Sequence, residues 1–521
     1  MLGHVALFLQ AIAEQDVVLE GGKYMPLRYP YWLIGVIFLA LLPTVSIAGN
    51  NSAPLPPWLD YEVDMPHAPP AELARISESS NLAHGSASDE TLDRAPSPPA
   101  DLLIQPDVEL SDFHYTGKEG LLPYARCRAS TCTDASCCNC DPNPCYIDLW
   151  LQQGYTGNFA NPDNRFNGPL SFNDRSNEYQ MNQLYLSLGR RIDPEACQWQ
   201  LGGRADLLFG TDYFFVTSLG LETDLDGTPR WNGDHGPRAQ GAALYGLAMP
   251  QLYAEMNVPW GRGLNVRLGH FYSLIGYESA MAANNFFYSH SYARQYGQPF
   301  THTGVLTDLN LSKGLNLSKG LNLQTGFTRG WNSWDNVNGQ LAFLGGLTWK
   351  HRDERTAIRF AIHTGLEDPD GNNNRTTYSL VWTQQLTSRM NYALEHHLGT
   401  EENARLKDGD LVDAQWYGIT QYLTYCVSPR QQIGVRIEWF RDEDNARVLG
   451  IPIDGVRGGN CYQVSMGANL RPHCLQRFVI RPELRWDWSD VEFAGLEVGG
   501  LFDDFNKNNQ LTWAISGMTR F

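Results

Sequence analysis

The chain has 521 residues, a formal net charge of −18, 18% charged and 12% aromatic residues, and a mean hydropathy of −0.35. Hydropathy this low excludes a bundle of membrane-spanning helices, each of which needs about 20 consecutive apolar residues. The acidic balance excludes a nucleic-acid partner, which calls for clustered Lys and Arg against phosphate, and suits long solvated loops instead.

The first predicted element is an apolar run, Tyr31 to Ile47, preceded by Lys23 and Arg28 and followed by Ser46-Ile47-Ala48. A basic flank, a short apolar core and a small-x-small site read as a secretory signal peptide, residues 1–48, cleaved after Ala48. Residues 1–24 lack that logic, so Met25 is an alternative start. A buried helix or membrane anchor is the weaker reading, because Pro43 interrupts the run. Residues 49–126 are rich in Pro, Ser, Ala and Asp, with Pro-Pro pairs at 56, 69 and 98 and no periodicity, which predicts a disordered periplasmic linker. A Cys-rich segment follows at 127–145, with Cys127, Cys132, Cys137, Cys138, Cys140 and Cys145. Zinc would want two regular Cys-x-x-Cys knuckles, which are missing, and export favours disulfides. Six cysteines allow fifteen connectivities, and spacing selects none.

From about residue 146 onward the chain breaks into alternating segments. Ile433, Val435, Ile437 and Trp439 share one face against Gly434, Arg436, Glu438 and Phe440; Phe478, Ile480, Leu484, Trp486 and Trp488 oppose Arg477, Arg481, Glu483, Arg485 and Asp487. Period two predicts β-strands. It does not say whether the charged face is the exterior of a soluble sandwich or the wet interior of a membrane barrel.

Connection lengths separate the two. Sixteen strands are predicted near 146–154, 179–190, 199–210, 248–258, 264–272, 303–311, 321–329, 341–350, 356–365, 376–386, 389–398, 414–426, 431–440, 461–471, 477–488 and 511–521. Short turns alternate with long connections at 155–178, 211–247, 273–302, 399–413, 442–460 and 489–510, and with two intermediate ones at 330–340 and 366–375. A short-turn rim opposite a long-loop rim, with both chain ends on the short side, is the organisation of outer-membrane barrels. The predicted fold is therefore all-β: a transmembrane antiparallel up-and-down β-barrel of about 16 strands over residues 146–521, behind a disordered N-terminal extension. In that frame Ile437 meets lipid, Arg436 meets the lumen, and Arg436→Ile is expected to cost little. Trp260, Trp349, Trp382, Trp416, Trp439, Trp488 and Trp513 fall near strand ends, as interfacial girdles do. The final strand alternates up to Phe521, a common way for such barrels to end and the handle by which barrel-assembly machinery would take the chain.

A local duplication, Leu-Asn-Leu-Ser-Lys-Gly twice and then Leu-Asn-Leu-Gln-Thr-Gly over Leu309 to Gly326, has an even period that preserves facing. It carries no chemistry. The stretch before it carries a resemblance. Gly269-His270-Phe271-Tyr272, Gly276-Tyr277-Glu278, Asn285 to Tyr292, and Gln298-Pro299-Phe300-Thr301-His302-Thr303-Gly304-Val305, with the upstream Asp226 to Asn232 and Leu252 to Glu255, resemble the OmpL-like β-barrel porin family over about residues 145–521. The resemblance implies an outer-membrane barrel with passive transport, and it implies no particular solute.

The connection 273–302 is third on the long-loop side, the one that in porins of sixteen strands folds into the lumen. Glu278, His290, Arg294 and His302 are its candidate constriction residues, with both charge signs available to set a transverse field. Packing over the mouth is the competing reading. Candidate lumen-lining residues on the strands are Glu255, Arg267, Arg359, Arg436, Glu438, Arg481, Glu483, Arg485 and Asp487. Cys426 and Cys474 fall in consecutive short turns and are candidates for a bridge. Catalytic signals are thin: Ser289-His290 and His396-His397 come with no third orienting group at recognisable spacing. Asp224 and Asp226 lack the remaining ligands of a calcium loop.

The resulting expectation is a bacterial outer-membrane porin, not an enzyme, that passes small polar solutes and ions, needs no cofactor or metal, contacts outer-membrane lipid and leaves homo-oligomerisation open. The rivals are a surface adhesion or structural barrel with a plugged lumen, and an exported soluble β-sandwich that binds glycans.

Overall fold

The structure is a computed structural model; it describes residues 144–193, 198–225, 228–232, 244–259, 264–311, 320–351, 355–405, 411–448, 456–475, 477–493 and 499–521. The expected signal peptide, the linker and Cys127, Cys132, Cys137, Cys138 and Cys140 lie outside these residues.

The strands, in chain order, are β1 (Cys145–Asn158), β2 (Glu178–Arg190), β3 (Gln200–Gly210), β4 (Gly246–Val258), β5 (Leu264–Tyr272), β6 (Thr301–Asn310), β7 (Leu321–Thr328), β8 (Ala342–Lys350), β9 (Thr356–Leu366), β10 (Asn374–Gln385), β11 (Met390–Arg405), β12 (Leu411–Ser428), β13 (Gln431–Asp442), β14 (Val456–Arg457), β15 (Gly459–Leu470), β16 (Phe478–Ser489), β17 (Glu492–Phe493) and β18 (Asn509–Arg520). Sixteen of them close an antiparallel barrel; β14 and β17 pair apart as a two-stranded ribbon in the connections above it. The seam runs between β1 and β18, from Trp150↔Arg520 to Asn158↔Thr512. Closure leaves no barrel strand with an unpaired edge, which is what a spanning sheet needs where no water is available to bond a free N–H.

Facing follows the alternation read from sequence. Ile437 is 42% exposed while its neighbour Arg436 is wholly buried, and Ile433, Leu484, Trp513 and Ile515 are exposed like Ile437. Apolar exposure repeated around the barrel is tolerable only against lipid, and with the closed topology it rules out the soluble sandwich. Trp349 and Trp382 lie on outward positions toward the short-turn rim, and Trp439, Trp488 and Trp513 toward the other. Trp416 does not join them: it faces inward, wholly buried, with its indole N–H on the carbonyl of Gly297 at 3.0 Å. Trp260 lies outside the described residues.

Two further expectations change. The connection 399–413 is mostly strand, because β11 runs on to Arg405 and β12 begins at Leu411. The proposed Cys426–Cys474 bridge does not form. Cys426 points inward on β12 and Cys474 lies exposed in the turn after β15. With β13 between them, about 10 Å of sheet separates the two, beyond the roughly 7 Å span a disulfide tolerates. Among the described residues, Cys145, Cys426, Cys461 and Cys474 form no disulfide with one another.

Candidate functional site

The chain leaves β5 at Tyr272, crosses into the barrel and returns at Thr301, with the neck closed by Ser273 N–H on the carbonyl of Phe300 at 2.9 Å. Of residues 273–300, all but Tyr277, Ala283 and Asn284 are buried. Gly276 sits at φ +98°, and a Cβ there would meet the side chain of Gln298 at 2.1 Å, so the first bend needs glycine. A single helical turn, Tyr292–Tyr296, is capped at its start by the Ser291 hydroxyl, which accepts from Arg294 N–H.

An irregular loop inside a barrel has backbone groups that no ladder satisfies, and the wall satisfies them. Glu438 accepts from Tyr292 and Ala293 N–H, each at 2.7 Å. Glu483 accepts from Tyr288 and Ser289 N–H at 2.8 and 3.1 Å and from the Ser289 hydroxyl. Glu395 accepts from Tyr277 N–H at 3.0 Å and from the Gln298 amide. Arginines take the carbonyls: Arg359 donates to Gly276 at 2.7 Å, Arg436 to Ser289 at 2.7 Å, Arg481 to Ala282 and Asn285 at 3.0 and 3.2 Å, and Arg485 to His290. Gln183 of β2 clamps the opposite flank, donating to the Ala280 carbonyl and accepting from Ala282 N–H. The loop is therefore bonded to strands on both sides of the lumen.

Within the loop, Glu278 is the centre of charge. Its carboxylate accepts from Arg436 at 2.7 Å, from His290 Nδ1 and the Tyr422 hydroxyl at 3.1 Å each, and from Ser291 N–H at 3.0 Å. Burial pushes its carboxyl up, but the Arg436 guanidinium and His290 outweigh burial and hold it well below the usual range. Burial keeps His290 below its ordinary value despite Glu278, whose carboxylate its Nδ1 faces at 3.1 Å. Arg294 is buried over the Phe300 ring at 5.0 Å. His302 belongs to β6, not to the loop; it stacks on His363 at 4.6 Å and its Nδ1 meets the Gly330 carbonyl.

The strand-borne candidates thus fall into two sets, all inward. Arg359, Arg436, Glu438, Arg481, Glu483 and Arg485 lie under the loop, with Asp487 held by Arg485 at 2.7 Å and by the Tyr292 hydroxyl. Glu255 and Arg267 lie toward the short-turn rim, 3.7 Å apart and both partly exposed. The expectation that Arg436→Ile costs little therefore fails: the facing is right, but this guanidinium bonds Glu278, the Ser289 carbonyl and hydroxyl, and Ser465. Glu395, Gln183 and Ser379, whose hydroxyl accepts from Gly276 N–H at 2.9 Å, are not among the residues the sequence reading names for the site. For Glu395 the signal was present, since period two puts it on the inward face with Ala393 and His397 while His396 faces out. Asp224 accepts from Arg230 at 2.6 Å, and Asp226 lies outside the described residues.

The family model described as "Putative beta-barrel porin-2, OmpL-like" matches residues 144–521. Among solved structures, the chain is similar to the outer membrane channel DcaP of Acinetobacter baumannii (10% identity, 72% of this chain and 97% of that one, TM-score 0.46). It is also similar to an anion-selective porin from Comamonas acidovorans (10%, 72% and 99%, TM-score 0.45) and to Pseudomonas aeruginosa OpdK with vanillate (11%, 72% and 98%, TM-score 0.39). Comparison with curated proteins finds no match.

Proposed function

We propose that this chain, which belongs to the OmpL-like β-barrel porin-2 family and is a porin of the bacterial outer membrane, passes only small polar solutes and ions, along a narrow path set by the loop 273–300. The supporting observation is the contrast within the lumen: the wall beneath the loop is buried, whereas Glu255, Arg267, Asp308, Lys350, Asp148 and Arg520 toward the short-turn rim remain partly exposed. Solutes reach this hydrated vestibule past Tyr277, Ala283 and Asn284, the loop residues that water touches. Mixed, paired charges favour polar solutes without a strong preference of sign.

Single-channel recording of the full chain in planar bilayers tests this. Small, steady conductance steps, with liposome swelling limited to the smallest sugars, are the expected result. A folded barrel with no steps would overturn it and favour a second reading, a plugged structural barrel, which the burial of nearly the whole loop supports. Recognition by assembly machinery through β18 belongs to the same proposal, since Phe521 follows the closing strand, exposed.

A further inference from the structure

The connection between β1 and β2 does not stay at the long-loop rim. Its middle, Pro169 to Asn173, turns inward as a strap and lies against the loop 273–300. Leu170 and Phe172 are each 1% exposed and pack in different apolar clusters, Leu170 with Tyr292 and Trp416, Phe172 with Phe215 and Phe300. Two residues of one short segment thus bridge two separate parts of the loop's surroundings. Between them Ser171 meets Gln295 of the loop, and the ring of Phe172 rests on that of His290 at 4.2 Å.

Phe172 holds φ +65°, a left-handed conformation that a bulky side chain adopts only under strain. Asn173 N–H folds back on the Ser171 carbonyl at 2.7 Å, which makes Phe172 the centre of a three-residue turn whose positive-φ form is rare and strained. What holds the strap down is neutral. Ser171 donates its N–H and its hydroxyl to Gln295 Oε1 at 2.6 and 2.8 Å, the Tyr296 hydroxyl donates to the Pro169 carbonyl, and the Phe172 carbonyl accepts from the amides of Asn182 and Gln180 at 2.8 and 3.3 Å. Residues 169–173 contain no charged side chain. The loop beneath is held by Glu438, Glu483, Arg436 and Arg485, and a hydrogen bond with a charged partner is roughly twice as strong as a neutral one. Of the two layers, the strained and neutrally bonded one opens at the lower cost.

We propose that residues 169–173 are an outer gate to the lumen, in series with the loop 273–300, and that the gate swings clear while the loop stays bonded to the wall. This rests on the channel reading above. Ala283, which the path passes, packs with Phe214 against the cluster that holds Phe172, so the shut gate covers the approach to the path with apolar rings. When the strap lifts, Phe172 leaves its strained turn, and water reaches Gln295, Asn182 and Gln180 to replace the hydrogen bonds given up. A gate without charge admits either sign of ion and leaves ion preference to the wall.

The test uses the full chain. Hydrogen–deuterium exchange of the unaltered protein should find the backbone amides of 170–173 exchanging faster than those of 288–293, in the loop beneath, by about tenfold or more. Equal or slower exchange overturns the proposal, and no variant has to fold for that result. Single-channel recording then compares the wild type with Phe172→Ala, its fold checked by heat-modifiable gel mobility. Losing the ring should shift the closed–open equilibrium toward open by about fivefold or more, at unchanged step size and reversal potential, because the loop still sets the path. An unshifted equilibrium overturns the gate and leaves the channel reading standing, and a changed step size or reversal potential overturns it too, since the loop itself has then moved. Steps in Phe172→Ala alone support the gate, whereas no steps in either chain refute the channel reading and the gate together.

Discussion

The lumen wall under the loop and the lumen wall near the short-turn rim are built from the same residue types and put them to different uses. Under the loop, Arg436, Glu438, Glu483 and Arg485 reach across to backbone groups more than a hundred residues away in sequence, and they are buried. Near the rim, Glu255 pairs with Arg267 and Asp148 with Arg520 across neighbouring strands, and all four keep contact with water. A charge facing a lumen is therefore no guide to ion selectivity by itself. It selects ions only where water and the field reach it; where a loop covers it, the charge replaces the backbone partners the loop gave up by leaving the sheet.

The largest expected effect breaks the buried half. Arg436→Ala leaves Glu278 charged and buried without its closest cation, and removing one partner of a buried pair costs about 3–5 kcal/mol. Denaturant unfolding followed by gel mobility should show that loss, and bilayer recordings of the surviving barrels should show larger, noisier steps as the loop detaches. Ile437→Arg, one residue along on the lipid side, should cost about 2–4 kcal/mol by depth-dependent burial of charge and leave conductance alone. Equal conductance in both variants would mean that the loop does not set the path.

A smaller effect separates the loops by pH. Asp212, in the turn after β3, accepts from Asn182 and Gln183 at 2.8 Å each, yet burial pushes its carboxyl up to about 7. Glu222 in the same connection is pushed up to about 7 by burial, against the N–H groups of Met249 and Ser218. Both carboxyls are higher in the folded chain than in the unfolded one, so their contribution is fully present below about pH 4 and is lost as pH rises through 7. Glu278, held low, works in the opposite direction and stabilises only above the usual carboxylate range. Protease protection of residues 211–225 should thus improve from pH 8 to pH 5, and Asp212→Asn with Glu222→Gln should flatten that slope. An unchanged slope in the double variant would remove these carboxyls from the account.

Much of this organisation was legible in the chain. Alternation put Ile437 and Arg436 on opposite faces, because a one-residue slip would reverse every side chain of the strand; connection lengths then turned Ile437 outward, and the place of 273–302 among the long loops pointed it into the lumen. What Arg436 binds was not legible. Its partners Glu278 and Ser289 lie on a loop whose path is fixed by tertiary contacts, and no local period encodes them. Trp416 was misread as a girdle residue although Ala414, Gly418 and Thr420 share its parity; its position near a strand end outweighed the facing that those small neighbours announced. The extension of β11 past Leu398 escaped notice for a different reason. Glu401 and Glu402 point to opposite faces beyond the bilayer, where both faces are wet and alternation disappears.

The smallest effects should come from the hydrated half, and they test the comparison most sharply. Glu255 and Arg267 are partly screened, so removing either charge should change stability by less than about 1 kcal/mol. Arg267 also lies over the Tyr253 ring at 4.4 Å, which keeps its guanidinium in place when Glu255 is neutralised. Glu255→Gln should therefore shift reversal potential toward anions and Arg267→Gln toward cations, in a salt gradient near 0.1 M. Both shifts should shrink near 1 M, as the screening length falls from about 10 Å to about 3 Å. Glu278→Gln, by contrast, removes a charge already committed to Arg436 and His290, and should loosen the loop more than it alters ion preference. If Glu278→Gln moved reversal potential while Glu255→Gln and Arg267→Gln did not, the ion path would run along the loop itself and the division between the two halves of the wall would be wrong.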